Sequence, residues 1–283
     1  MTAMKSRAFL KYQSAHYFLR WRWLLPIPVG LCLGYWAQKV ISVLTPPFSS
    51  GLQGNALEAF IWAFGKPEII YFVISILFIF LVSDLLPENS YGQQVLLRLR
   101  SRKTWWLGKT IFVFLSTLVY AFLLIGSFFL PVLMKYPIST EWSAAGVSTY
   151  GIGLGYSLKN GSPLQAFGSI LSFLLIGWFA IGLFIQIVNL ISQHRWVGFF
   201  SGVLIVICAS LGDIKGGPIG GEGIGSFFLL QNHLEFTPLW APVRVIPEIY
   251  SWLFWLIWIL ACLGSGFMLC KKIDFFLVNH QED

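Results

Sequence analysis

Charge is what this sequence has least of. Of its 283 residues, 11% are Asp, Glu, Lys or Arg, where an ordinary soluble domain carries about 25%. A water-soluble fold cannot cover its surface with so few charges. Cysteine is scarce too. Cys32, Cys208, Cys262 and Cys270 fall in or at the ends of apolar runs, with no CxxC spacing. That pattern argues for small buried side chains and against a disulfide or metal framework. GxxxxGK[ST], HExxH and GxSxG are all missing, so nucleotide-hydrolysis, zinc-protease and serine-hydrolase chemistry have no local support. The glycine-rich run GDIKGGPIGGEGIGS, residues 212–226, follows an apolar span instead of a strand and reads as an outer linker. His16, His194, His233 and His280 are far apart; His233 with Glu235 reads as a satisfied polar pair in a loop. Glu58, Glu68 and Glu141 are expected on separate outer loops. No catalytic residue, metal ligand or cofactor of the chain's own is expected.

Apolar sequence is what the chain has in abundance: 57% hydrophobic residues, with 26 Phe and 13 Trp. Such a chain collapses, which excludes disorder. The net charge of +7 does not point to nucleic acid, because the cations sit between apolar spans and within no readout module. A transmembrane helix takes about 20 apolar residues, and six stretches qualify: about 23–44, 69–86, 110–134, 164–191, 196–211 and 245–270. The expected fold is an all-α integral membrane protein with six transmembrane helices in a single domain over 1–283. Residues 4–22 precede the first span, with Phe9, Tyr12, His16, Leu19 and Trp23 at spacings of 3 and 4. That periodicity predicts an interfacial amphipathic helix. Pro26 and Pro28 predict a bend near the start of the first span, and Gly30 with Gly34 allows a neighbouring helix to come close.

The cations set the orientation. With the N-terminus in the cytoplasm, 13 of the 19 Lys and Arg fall inside: Lys5, Arg7, Lys11, Arg20 and Arg22; Arg98, Arg100, Arg102, Lys103 and Lys109; Arg195; Lys271 and Lys272. Lys39, Lys66, Lys135, Lys159, Lys215 and Arg244 are scattered outside. Both termini are expected in the cytoplasm. Within the spans charge is almost absent, with Asp84 near the inner end of the second and Lys39 near the outer end of the first. Ion-coupled carriers place carboxylates or His at mid-membrane, so their absence weighs against a secondary transporter. Gln186 and Asn189, the main polar groups of the fourth span, are expected to bond to neighbouring helices.

The densest charge lies in SDLLPENSYGQQVLLRLRSRKTWWLGK, residues 83–109. Positive-inside topology accounts for much of it, and Trp105 with Trp106 suits an interfacial belt. Pro87 and Glu88 end the second span, Gly92 offers a turn, and QQVLLRL can form a short helix. Glu88 lies near its N-terminal end, where a negative charge is favourable. His194 and Arg195 occupy the tight inner turn SQHRW, a plausible minor contact for a cytoplasmic partner.

This layout resembles the permease subunits of type-2 ATP-binding-cassette exporters. The match is an N-terminal interfacial helix, six spans with both ends cytoplasmic, and a second cytoplasmic connection. Within that connection it comprises Glu88, Gly92, an apolar turn at Leu96 and Leu97, then Ser101-Arg102 and Lys109 opening the next span. The resemblance implies that residues 87–103 form a coupling segment docking on an ATPase subunit, with Arg98, Arg100 and Arg102 among its contacts. It implies ATP and magnesium on partner ATPase subunits, a second permease (identical or different), and a bacterial plasma membrane. A re-entrant hairpin before the last helix is assigned to residues 225–248, which are apolar but interrupted by Pro238 and Pro242. The long outer loop 135–163 and the glycine-rich run depart from the family pattern. The apolar, aromatic interior favours an amphipathic or hydrophobic cargo such as a peptide, lipid-linked molecule or drug. The alternatives are a non-conducting membrane anchor or accessory subunit, and a membrane-embedded enzyme.

Overall fold

The computed structural model describes residues 17–44, 54–66, 68–86, 101–143, 162–214, 233 and 248–272. Among these residues all regular structure is helical. A 3₁₀ turn, Trp21–Leu24, leads into α1 (Pro26–Leu44); α2 is Ala56–Phe64 and α3 is Ile69–Leu85. Four longer helices follow: α4 (Arg102–Leu133), α5 (Pro163–Ser192), α6 (Arg195–Ile214) and α7 (Glu248–Lys272).

Four helices among the described residues are long and apolar enough to cross a membrane: Trp21–Ser42, Arg102–Leu133, Pro163–Ser192 and Ile249–Lys271. A fifth is present if α2 and α3, bent by 92° at their junction, are one span. Arg195–Ala209 is apolar but shorter. The chain is therefore a membrane-embedded helical protein. The expected fourth and last spans coincide with α5 and α7 to within a few residues. The third begins at Arg102 instead of 110, because Ser101 caps it by accepting from Thr104 N at 3.4 Å. The hairpin assigned to 225–248 lies outside the described residues except for His233 and Glu248, as do residues 4–16 of the interfacial helix.

The junction of α1 and α4 rests on absent side chains. A Cβ on Gly30 would stand 2.3 Å from Leu124 O, and one on Gly34 would stand 2.2 Å from Phe128 O. The two backbones are thus in direct contact along the GxxxG face, and Ser127 bonds back to Leu124 O at 2.9 Å. On the opposite surface Phe122, Leu130 and Met134 are exposed, the side that lipid would cover.

The outer connection departs from expectation. Glu58 is not in a loop but in the first turn of α2, fully buried. Asn55 and Glu58 form a capping box, a pattern that sequence could have shown. Glu58 also accepts from Ser143 N and Ser143 Oγ, both at 2.6 Å. Asn55 Nδ2 donates to Ser139 O at 2.7 Å. A carboxylate at a helix N-terminus that accepts from Ser143 N, Ser143 Oγ and Asn55 N tolerates burial, and here it clasps the segment after α4 to the start of α2.

α3 is irregular at both ends. Ile69–Ser75 is π-helical and Ser83–Leu85 is 3₁₀. Departures from the α ladder free carbonyls that hydrocarbon cannot satisfy, and side chains of the surrounding elements take them up. In the upper half Tyr120 Oη donates to Ile74 O at 2.6 Å, and Trp178 Nε1 donates to Ser75 Oγ at 3.2 Å.

Candidate functional site: the two mounts of the 87–100 segment

Glu88, Gly92, Leu96, Leu97, Arg98 and Arg100 lie outside the described residues. The structure defines what holds either end of that segment: α3 through Leu86 on one side, α4 from Ser101 on the other.

The last turn of α3 is held by four side chains from three other elements. Its carbonyls are Leu81 O, Val82 O, Ser83 O and Leu85 O. The donors are respectively Tyr17 Oη, Gln186 Nε2 at 3.0 Å, Asn189 Nδ2 at 2.8 Å and Lys109 Nζ at 3.2 Å. Gln186 and Asn189 thus bond to a neighbouring helix, as their positions suggested. Lys109 was expected on the inner side as a topology cation; instead it is 2% exposed inside the bundle, its ammonium satisfied by backbone oxygen and set 5.9 Å from the Trp105 ring. Burial holds the Tyr17 hydroxyl well above the ordinary tyrosine range, so it stays protonated and keeps donating at any working pH. Tyr17 also packs edge-on against Trp23 and Phe112. The end of the predicted interfacial segment therefore enters the bundle; Trp23 is buried while Leu19 is exposed.

Asp84 adds charge to this mount. Its carboxylate pairs with Arg22 and stands 3.7 Å from Arg20. Both arginines were read as topology cations, and they also bind the N-terminal segment to α3. All three are partly buried, which strengthens the pair relative to a surface ion pair.

The second mount is the start of α4. Arg102 donates to Cys270 O at 3.3 Å and Lys271 O at 3.1 Å. These are last-turn carbonyls of α7, which lack intrahelical partners and sit at the negative end of the helix dipole. Trp105 and Trp106 were expected in an interfacial belt; both are fully buried, in a small core with Leu86, Leu190 and Cys270. A Cβ on Gly266 would lie 2.1 Å from the Trp106 ring, so that missing side chain is what admits the indole. The reason for the correction is the earlier start of α4, which places both indoles inside the helix, on its bundle face.

His194 and Arg195 lie in the turn between α5 and α6. Gln193 has a left-handed backbone there, φ 57°, and reverses the chain in two residues. His194 is exposed, its backbone bonded to Ser192 Oγ. The Arg195 guanidinium lies over the Trp196 ring, 5.6 Å from its centroid. Glu235, read as the partner of His233, lies outside the described residues; the His233 Nδ1 lies 3.1 Å from Ser251 Oγ on α7, and its ring stacks on Phe254. Compared with family models, curated proteins and solved structures, the chain matches none.

One mount joins α3 to α5, α4 and the N-terminal segment, and the other joins α4 to α7. A load applied between residues 86 and 101 would reach each of these elements through a named hydrogen bond or buried ring.

Proposed function

We propose that the chain is the transmembrane permease subunit of an ATP-driven exporter, with six spans, both termini in the cytoplasm and residues 87–103 docking on a separate ATPase subunit. The single observation in its favour is the pair of mounts. A segment that only connected two spans would need no such network, whereas one that receives a push from a soluble motor must be fastened to the helices it moves. ATP binding draws the ATPase subunits together, Glu88, Leu96, Leu97, Arg98 and Arg100 take up that movement, and Ser83–Leu86 and Arg102–Lys109 pass it to α3, α4, α5 and α7. The cargo is amphipathic or hydrophobic, in keeping with the aromatic interior, and the complex contains two permeases.

The test is Glu88→Arg in the affinity-tagged chain, with the ATPase subunit that copurifies from its host as the readout. An acidic residue contributes little to topology, so insertion stays normal. Loss of a charge-assisted contact and repulsion by the neighbouring arginines reduce ATPase recovery about tenfold. Unchanged recovery and unchanged ATP hydrolysis would remove the coupling assignment and leave a non-conducting anchor as the better account.

Orientation has its own check. Lys103 and Glu141 are both exposed; each is replaced by Cys in a background lacking the four native thiols. An impermeant maleimide labels Glu141→Cys in intact cells and Lys103→Cys only after permeabilisation. The reverse order would turn the chain over.

A further inference from the structure

We infer that the cleft between the α5–α6 turn and the end of α3 is a binding site for one anionic phospholipid. Its lining is Arg22, Phe80, Ser83, Asp84, Arg195 and Trp196, around about 220 Å³. Three cations gather at or beside it, Arg20, Arg22 and Arg195, against the single carboxylate of Asp84. Asp84 engages Arg20 and Arg22, whereas Arg195 has no carboxylate partner among the described residues and spreads over the Trp196 ring. A guanidinium has five N–H donors, so Arg22 can hold Asp84 with one edge and present another to the cleft. Two such forks on one cavity suit the oxygens of a phosphate.

What favours a lipid over a free phosphate is the surface that continues from the cleft. Trp196, Phe200, Leu204 and Ile207 are all exposed at spacings of 4, 4 and 3 along α6, which places them on one stripe of the helix. Trp196 and Phe200 rings are 6.4 Å apart, and Phe199, packed between them and the Phe80 ring, backs the stripe. Charge at the head of an apolar stripe, with a Trp at the junction, matches a molecule with a phosphate head and acyl tails. An anion without tails would use the arginines and ignore the stripe. This inference rests on the cleft alone and is independent of the ATPase reading; it gives Arg195 to lipid and not to a soluble partner.

The test uses the full-length chain in phosphatidylcholine nanodiscs doped with spin-labelled phosphatidylglycerol or spin-labelled phosphatidylcholine. The readout is the motionally restricted fraction of each. Wild type restricts phosphatidylglycerol several-fold more than phosphatidylcholine. Arg195→Gln lowers that preference about fivefold, the usual effect of one cation near an anionic surface, and Arg195→Lys keeps most of it. Arg195 is exposed and in no ion pair of the described residues, so its replacement leaves the fold intact, verified by unchanged thermal unfolding. Leu204→Ser, on the stripe, weakens restriction of the bound phosphatidylglycerol. Equal restriction of both lipids by wild type, or an Arg195→Gln variant with undiminished preference, would overturn the site. Displacement of the phosphatidylglycerol by millimolar inorganic phosphate, with no effect of Leu204→Ser, would make it a site for a free phosphate and equally overturn the lipid assignment. ATPase recovery with Arg195→Gln stays at the wild-type level, so failure here and failure of the coupling reading are told apart.

Discussion

Gly34→Ala should destabilise the folded chain by about 3 kcal/mol, the upper range for overpacking a tight interface. The added methyl would stand 2.2 Å from Phe128 O and 2.8 Å from the Pro131 ring. Neither obstacle yields easily, because one is helical backbone within α4 and the other a closed ring. The only relief is separation of α1 from α4, which forfeits contacts along their whole crossing. Gly126→Ala is the control: the same helix offers open space at that position, and removing a helical glycine there should be neutral or slightly stabilising. Unfolding by sodium dodecyl sulfate titration in mixed micelles measures both. A Gly34→Ala protein as stable as the Gly126→Ala protein would show that the two helices do not meet at Gly34.

Asp84→Ala is the second large effect, about 2–3 kcal/mol. That is somewhat below the range for breaking a fully buried ion pair, because Arg22 and Asp84 side chains are 19% and 15% exposed. The loss arises less from the missing attraction than from leaving Arg22 over the Phe80 ring, 5.6 Å from its centroid, without its carboxylate. Arg20, at 38% exposure, can turn back to water, so it adds little. The mechanism has a signature. Replacing both partners with apolar residues, Arg22→Met with Asp84→Leu, should recover most of the lost stability, since no uncompensated charge remains. The same titration distinguishes the two outcomes: a double variant as unstable as Asp84→Ala would mean that the pair contributes net attraction, not only mutual neutralisation. Proteolytic access to the N-terminal segment should rise in Asp84→Ala and return in the double variant.

Much of the scaffold was legible from one sequence because hydrocarbon imposes a simple rule. Helices must be apolar for about 20 residues and must satisfy their own backbone, so α4, α5 and α7 announce themselves by composition. The GxxxG at Gly30 and Gly34 was equally readable, as was the destination of Gln186 and Asn189 on a neighbouring helix. α2 was missed although Asn55-x-x-Glu58 is a capping signature, because a helix of nine residues is too short to register as a span.

Composition thus determined the class of this protein: a membrane-embedded bundle of helices, charge-poor within and cationic at its connections. Tertiary structure alone decided what the individual polar groups do. Positive-inside counting treats Arg20, Arg22, Arg102 and Lys109 as equivalent, yet one pair neutralises Asp84, one cation closes the end of α7 and one is buried against Leu85 O. The donors that satisfy α3 come from residues 17, 109, 120, 186 and 189. Periodicity reports only on neighbours three or four residues away, and nothing in it encodes a partner a hundred residues distant. The π and 3₁₀ turns of α3 have the same origin. They survive because side chains of other helices take the carbonyls that the α ladder leaves free, a condition met only once the bundle has closed.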